Sequence, residues 1–453
     1  MTHLPQIFLQ SVSSCPGFDE AAFVQAHEEA SPVSIRLNPF KPAASGFGLN
    51  DPVRWNTEGF YLATRPNFTH DLLFQAGCYY VQEAGSMFIG HALRSCVDLQ
   101  EQLTVFDVCA SPGGKSTLLN SLLTRDSLLV ANEVVKPRSE VLAQNLAKWG
   151  TANVVVTNND PSAYAEMADV FDVILVDAPC SGSGLFRKQH EAVEEWSPDH
   201  VNLCSQRQKR ILAEVMQSLK PGGTLVYSTC SYSRSENEDI ADWLVQEYAL
   251  SPVAIPLEKD WGIVESRSGQ HQAYGYRFYP DKTRSEGFFC AVFRKPGERI
   301  SATTSGKKNR QEKLSVLKPK EKEPFRGWIE DVDSHELLKF KDDYLLTNQA
   351  ALSFVNRYPH LYLKKLGTTI GSLVRNDLIP HQDLAWSIYR SQGVPSIDCT
   401  AEEGLQFMKK ELQSIAGEKG WNLMSYKGFG LGWIKNLGNR INNYLPNEFR
   451  ILK

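Results

Sequence analysis

The chain has 453 residues, 42% of them hydrophobic, with 48 Lys and Arg against 52 Asp and Glu. That is too long for one ordinary domain, and a net charge of −4 leaves no global basic field, so any nucleic acid must be held by local patches. Nine cysteines, at 15, 78, 96, 109, 180, 204, 230, 290 and 399, contain no CxxC pair, which argues against zinc or any other resident metal and against a disulfide scaffold, and favours a reducing compartment. No stretch approaches the ~18 apolar residues of a membrane span, and "MTHLPQIFLQ" lacks a basic start followed by a long apolar run, so the expectation is a cytoplasmic protein with no membrane partner.

In chain order, residues 1–75, with "SPVSIRLNPFKP", read as a separate small unit. Residues 76–297 alternate strand and helix. "LTVFDVCA" is an apolar run ending in the turn "SPGGKS", and "STLLNSLL" is helix-like. "SLLVANE" is a second strand, and "PRSEVLAQNLAKWG" a helix opened by Pro and closed by Gly. "NVVVTNND" and "DVILVDAPC" are the third and fourth strands. "RQKRILAEVMQSLKPGG" is a helix with a Pro-Gly-Gly stop, "TLVYSTC" the fifth strand, "ENEDIADWLVQEY" an acidic-start helix and "FFCAVFRK" a last strand. Near-continuous apolar strands alternating with helices predict an α/β, Rossmann-like, doubly wound and mostly parallel sheet covered on both faces. Residues 298–322 read as a linker, with eight Lys or Arg against two Glu over 299–322; such runs are usually only solvated, although RNA contact is the other reading. A further globular region, 323–453, ends in aromatics, glycines and a basic excess.

In a doubly wound sheet, ligands bind beyond the carboxyl ends of the strands. Those ends carry "DVCASPGGK" (Asp107–Lys115), Glu133, Asp160, Asp177, Cys180 and Cys230. The loop is neither GxxxxGK[ST] nor GxGxxG. Gly113 and Gly114 permit close backbone approach, and Glu133, 20 residues beyond Gly113, is placed for ribose hydroxyls. Spacing alone leaves two readings, a nucleoside-containing cofactor or a tight structural turn. Buried cysteines are usually inert, which suits Cys109, Cys204 and Cys290. Cys180 and Cys230 instead follow strands and sit among Ser, Gly, Thr and Pro. Two thiols beside a carboxylate suit covalent catalysis on an electron-poor ring, with Lys115, Arg187 and Lys188 available to lower a thiol pKa.

"DVCASPGGKS", "DAPCSGSGLFRK" and "STCSYSRSENE" closely resemble the Sun-type RNA (cytosine-5)-methyltransferase family, and "YYVQEAGSMFIGHAL" resembles its segment before the first sheet strand. The resemblance covers roughly residues 20–297, and "YKGFGLGWIKNLGNRINNYLP" looks like the tail of the RsmF branch, which acts on small-subunit ribosomal RNA. Ser111 and Ser116 are mild departures that remove no chemical group. The resemblance implies a methyltransferase fold with an N-terminal α/β domain and a PUA-like C-terminal end. It implies S-adenosylmethionine on Cys109, Ala110, Ser111, Pro112, Gly113, Gly114 and Lys115. Glu133 would hold the ribose, Asp160 would lie near the adenine and Asp177 near the methionine end. Cys230 matches the nucleophile and Cys180 the group that helps release product, so Cys230, Cys180 and Asp177 form the expected catalytic set.

RNA, as small-subunit ribosomal RNA or the assembled subunit, would meet Arg36, Lys188, Arg207, Lys209 and Arg210, and Lys427, Lys435 and Arg440 in the tail. The alternative for each is a plain surface charge, more so for Arg210 than for Arg36. Competing functions are the same reaction on transfer RNA, a non-catalytic RNA-binding assembly factor, and a nicotinamide dehydrogenase, which the missing GxGxxG disfavours.

Overall fold

The computed structural model describes residues 4–43, 48–298, 314–375 and 377–452. Its centre is a mixed sheet with a five-strand parallel core. In chain order the strands are β1 (Thr104–Asp107), β2 (Leu128–Asn132), β3 (Val154–Thr157), β4 (Phe171–Asp177), β5 (Leu219–Thr229), β6 (Val264–Arg267), β7 (Tyr274–Phe278), β8 (Phe288–Arg294) and β9 (Leu363–Leu366). Their spatial order is β6-β7-β8-β5-β4-β1-β2-β3-β9. Pairs among β3, β2, β1, β4 and β5 are parallel, while β6, β7, β8 and β9 add antiparallel edges.

The apolar runs are continuous because alternate residues serve two cores. Phe106, Val130, Val155, Ile174, Val176 and Leu225 pack on one face, whereas Val105, Leu129, Val154, Val156, Leu175 and Val226 pack on the other. The second face carries α1 (Gly114–Leu122) and α2 (Lys136–Trp149), which has Pro137 in its first turn and ends at Gly150 in the left-handed region (φ 95). The first carries α3 (Pro198–Met216) and α4 (Glu238–Tyr248). The Pro-Gly-Gly expected to stop α3 lies inside β5 instead. The helix ends earlier, at Met216, and the pairing of β4 with β5 absorbs the glycines through a register shift.

The N-terminal unit has a three-stranded antiparallel sheet of Gly59–Leu62, Val33–Leu37 and Tyr79–Val81, so its last strand lies beyond residue 75. Its first helix, Gln6–Val12, leaves that sheet and plants Phe8 edge-on against Phe186 and Trp196 of the catalytic unit.

The expected linker needs correction at its end. Residues 299–313 lie outside the described residues, but 314–322 is folded: Leu314 and Leu317 are buried, Ser315–Val316 pairs with Glu336–Phe340, and the Lys322 ammonium donates to the His335 carbonyl at 2.8 Å. The following strands make a five-stranded sheet, and a last four-stranded sheet includes Gly420–Tyr426 and Phe429–Asn436. That last unit shares one core with the N-terminal sheet, through Ile35 and Tyr79 with Phe407 and Met424. No helix among the described residues is long and apolar enough to cross a membrane.

The C-terminal half is also built into the catalytic sheet. β9 pairs with β3, and the helix Gln349–Arg357 buries Phe354 against Phe171 of β4, with ring centroids 6.0 Å apart. Phe354→Ala should therefore cost about 3 kcal/mol, read as a lower urea midpoint with one coincident transition for both halves. Two separated transitions would show that the halves do not share a core.

Candidate active site

Each strand of the parallel core delivers polar groups at its carboxyl end. β4 and β5 run parallel with Asp177 opposite Ser228, and the Ser228 hydroxyl donates to Asp177 Oδ1 at 2.8 Å. Three residues beyond Asp177 comes Cys180, and two beyond Ser228 comes Cys230. Their Sγ atoms lie 3.0 Å apart, within reach of an S–H···S hydrogen bond. The Lys115 ammonium, from the first turn of α1, donates to Asp177 Oδ2 at 2.7 Å.

These groups differ electrostatically. Burial alone would lower the Lys115 pKa, but the Asp177 carboxylate raises it on balance, so the side chain stays cationic. The Cys180 thiol is pushed well above its ordinary value, first by its hydrogen bond with Cys230 and then by burial. Arg187, expected to help ionise a thiol, is committed elsewhere. It pairs with Glu286 at 3.1 Å and donates to the Ser285 and Ala26 carbonyls. Cys109, Cys204 and Cys290 are all raised by burial, Cys204 to about 11, in keeping with packing roles for those thiols.

The loop between β1 and α1 forms the other side of the site. Gly113 adopts φ +113, a conformation that favours glycine, and turns the chain into α1, whose first amides have no helical partners. A cleft of about 170 Å³ runs along this turn, lined by Cys109, Ala110, Ser111, Pro112, Gly114, Lys115 and Asp177. Tyr80, Gln82 and Ser86 close it from the N-terminal side. Glu133 and Asp160 end the next two strands without lining that cleft. Glu133 is buried, accepts from the Val135 amide at 2.9 Å and lies 3.5 Å from the Arg138 guanidinium. Asp160 is half-exposed, accepts from the Ser162 amide and faces Arg210 at 3.3 Å.

Two further carboxylates belong to the site. Asp107 is fully buried at the end of β1; its Oδ2 accepts from the Ser116 hydroxyl at 2.7 Å, and its Oδ1 has no partner. Burial pushes its pKa up to about 7. The signal was present as an acidic residue closing an apolar strand. Glu236 looked like the start of a helix, but α4 begins at Glu238 and Glu236 turns inward, fully buried. It accepts from the Ser181 amide (2.8 Å), the Ser181 hydroxyl (2.6 Å), the Ser231 hydroxyl (2.5 Å) and the Gln208 amide (3.2 Å). One carboxylate thus fastens the residues that follow both thiols. Spacing does not reveal such a contact, because it depends on how the two loops fold together.

The donor set fits S-adenosylmethionine. Carboxylates at neighbouring strand ends suit a ligand with a sulfonium, an ammonium and a ribose diol. The buried, unpartnered Asp107 Oδ1 provides an acceptor in the same neighbourhood.

The expected RNA-contacting residues do not all face solvent. Arg36 is a correction: it is fully buried, donates to Gln82 Oε1 (2.8 Å), the Thr117 hydroxyl (2.6 Å) and the Gly114 carbonyl (3.3 Å), and lies 4.6 Å from the Trp149 ring centroid. Burial lowers its pKa to about 9. It is a strut between the N-terminal sheet and α1, out of reach of a phosphate. Arg210 is held by Asp160. Lys188, Arg207, Lys427 and Arg440 are exposed, whereas Lys209 and Lys435 are half-buried over Trp243 and Trp421.

Comparison with known proteins agrees with this geometry. A crystal structure of a methyltransferase homolog protein from Pyrococcus horikoshii superposes with a TM-score of 0.52 at 28% identity, covering 64% of this chain and all of that one. NSun6 from the same organism, solved with SFG, gives 0.54 at 19% identity over 66% of this chain and all of that one, a likeness of fold. The class is therefore that of a methyltransferase fold carrying a two-thiol site. The model of 16S rRNA methyltransferase RsmB/F matches residues 95–294, that of the RsmF N-terminal domain 4–84 and that of the RsmF PUA domain 394–451. Proteins named ribosomal RNA small subunit methyltransferase F from Shewanella piezotolerans and Aeromonas salmonicida are each 29% identical over 99% of this chain and 98% and 97% of their own. The chain belongs to the RsmB/F family of methyltransferases, on its RsmF branch.

The Asp107 carboxyl has a consequence for stability. The folded chain holds a proton there that the unfolded chain releases near pH 4, so this site's stabilising contribution is full below about pH 4 and is lost as pH rises towards about 7. Asp107→Asn keeps an acceptor for Ser116 and removes the charge. It should flatten the stability–pH slope across that window and leave the variant the more stable above pH 7, as measured by urea unfolding without cofactor.

Proposed function

We propose that this protein methylates carbon 5 of a cytosine in small-subunit (16S) ribosomal RNA, using S-adenosylmethionine, through a covalent bond between Cys230 and the base. The observation that carries this reading is the Cys180–Cys230 pair, 3.0 Å apart, at the same sheet edge as Asp177 and Lys115, which line the glycine-rich cleft. Family membership supports the methyl transfer and the RNA substrate. The cytoplasm, where ribosomal RNA is, is the proposed location.

Carbon 5 of cytosine is a poor nucleophile. Addition of the Cys230 thiolate to carbon 6 gives an enamine-like ring whose carbon 5 is electron-rich. S-adenosylmethionine, when bound, supplies an electrophilic methyl on sulfonium. After methylation the carbon 5 proton leaves, the carbon 6–sulfur bond breaks, and Cys230 departs with the bonding pair as the ring regains aromaticity. Cys180, in contact with Cys230, assists that release, and Asp177, held by Lys115 and Ser228, orients the region between base and methyl donor. The glycine-rich loop would hold the methionine and ribose portion, with Glu133 on the ribose and Asp160 towards the adenine, which requires Arg210 to share or release it. The base must leave its stack for a thiol to reach carbon 6. Lys188, Arg207 and Lys209 beside the site, and Lys427, Lys435 and Arg440 in the PUA unit, are the proposed phosphate contacts.

Glu133→Ala should weaken S-adenosylmethionine binding by one to two decades, the worth of a hydrogen bond to a charged acceptor at roughly 1.5–3 kcal/mol. Unchanged affinity by calorimetry would place the cofactor elsewhere.

The thiol roles separate on a denaturing gel. Cys230→Ala should abolish methyl transfer while still binding cofactor. Cys180→Ala should add to cytosine but fail to let go, accumulating a protein–RNA adduct, and the double variant should form none. Adduct from Cys230→Ala, with none from Cys180→Ala, would exchange the two roles.

A further inference from the structure

The two thiols look alike in sequence but are not held alike. Lys115 sits close enough to Cys230 for the sulfur's charge to act on its ammonium. Glu236 holds both the amide and the hydroxyl of Ser181, the residue next to Cys180, but only the hydroxyl of Ser231, the residue next to Cys230. Two of its four partners, the Ser181 amide and the Gln208 side-chain amide, can only donate, which is the environment of an acceptor-only carboxylate. Gln208 is itself fixed: it also donates to the Pro179 carbonyl at 3.1 Å and accepts from the Tyr227 hydroxyl at 3.0 Å. Asn237 completes the clasp around Cys230, accepting from Thr229 Oγ1 (2.6 Å) and donating to the Ser231 carbonyl (2.7 Å).

We infer that Glu236 is a positioning residue that decides which thiol is the nucleophile: its negative charge keeps Cys180 as the protonated thiol, whose S–H donates to Cys230 and leaves Cys230 as the thiolate. No proton is created or lost in this arrangement; the one remaining on the pair resides on Cys180. The upward push on Cys180 has the matching causes, its hydrogen bond with Cys230 first, burial second, and the charges of Cys230 and Glu236 after them. The charged and titratable groups around the pair are Tyr227 on β5, Lys115 on α1, Cys204 on α3 and Glu236 ahead of α4, with Asp177 paired to Lys115 and Arg207 acting on Cys204. Glu236 is the fully buried carboxylate among them. Asp177, the other, is neutralised at 2.7 Å by Lys115.

This inference rests on Cys230 being the attacking thiol, but its test uses neither RNA nor methyl transfer. The rate of Cys180 alkylation by iodoacetamide is followed against pH by peptide mass spectrometry in the full chain, in a Cys230→Ser background that keeps an acceptor beside Cys180. Adding Glu236→Gln, of the same shape without the charge, should move the alkylation midpoint down by about one pH unit or more, a tenfold faster reaction below both midpoints. Glu236→Asp, which keeps the charge and shortens the clasp, should leave the midpoint high, and it stands alone as the test if the Gln variant does not melt cooperatively. A midpoint unmoved in a cooperatively melting Gln variant, or lowered by Asp, would overturn the inference in favour of a purely mechanical clasp. A shifted midpoint with no adduct from Cys180→Ala would leave the charge effect standing and remove the assigned thiol roles instead.

Discussion

Everything at the site follows from the parallel, in-register pairing of β4 with β5. Parallel neighbours end at the same edge, so the loops that leave them emerge side by side. Asp177 opposite Ser228 puts Cys180 and Cys230 within one sulfur contact of each other. A one-residue slip would slide one loop past the other by one strand residue, about 3.3 Å, and part the two thiols. The apolar residues on both faces of β4 and β5 therefore hold more than stability; they hold the thiol separation.

Around that pair the charges are arranged in layers. Lys115 neutralises Asp177 close to the thiols. Glu236 lies behind them among four donors, and Asp107 lies beneath the cofactor loop with one oxygen unpartnered. Removing a buried charge's partner costs more than removing an exposed pair, so these groups constrain one another. The N-terminal unit joins the same arrangement: Arg36 ties its sheet to α1, and Tyr80 and Gln82 form a wall of the cleft.

The sequence was most informative where local pattern decides structure. The parallel strands, the glycine turn at Gly113 and the grouping of Cys180, Cys230 and Asp177 follow from periodicity and from where strands end. It was least informative where distant segments meet. β6 and β7 carry Glu265 and Arg267, and Tyr274 and Arg277, and do not read as apolar strands. Arg36, in a half-polar strand, looks exposed until Trp149 and Thr117 close over it. Glu236 reads as a helix start because acidic residues favour that position, and only the meeting of the two thiol loops turns it inward. The residues from Leu314 to Lys322 look solvated by composition, yet two leucines suffice to fold them down.

β9 reaches back from residue 363 to close the free side of β3. During synthesis the chain emerges from its N-terminus, and domains generally fold as they appear. Here the catalytic strands up to β8 are made long before β9. Until then β3 presents an unpaired row of amides and carbonyls, the kind of edge that recruits other strands. The catalytic unit is thus finished only by a segment translated some 70 residues after its own last strand, and a ribosome that stalls in between leaves an enzyme with its sheet still open to the wrong neighbour.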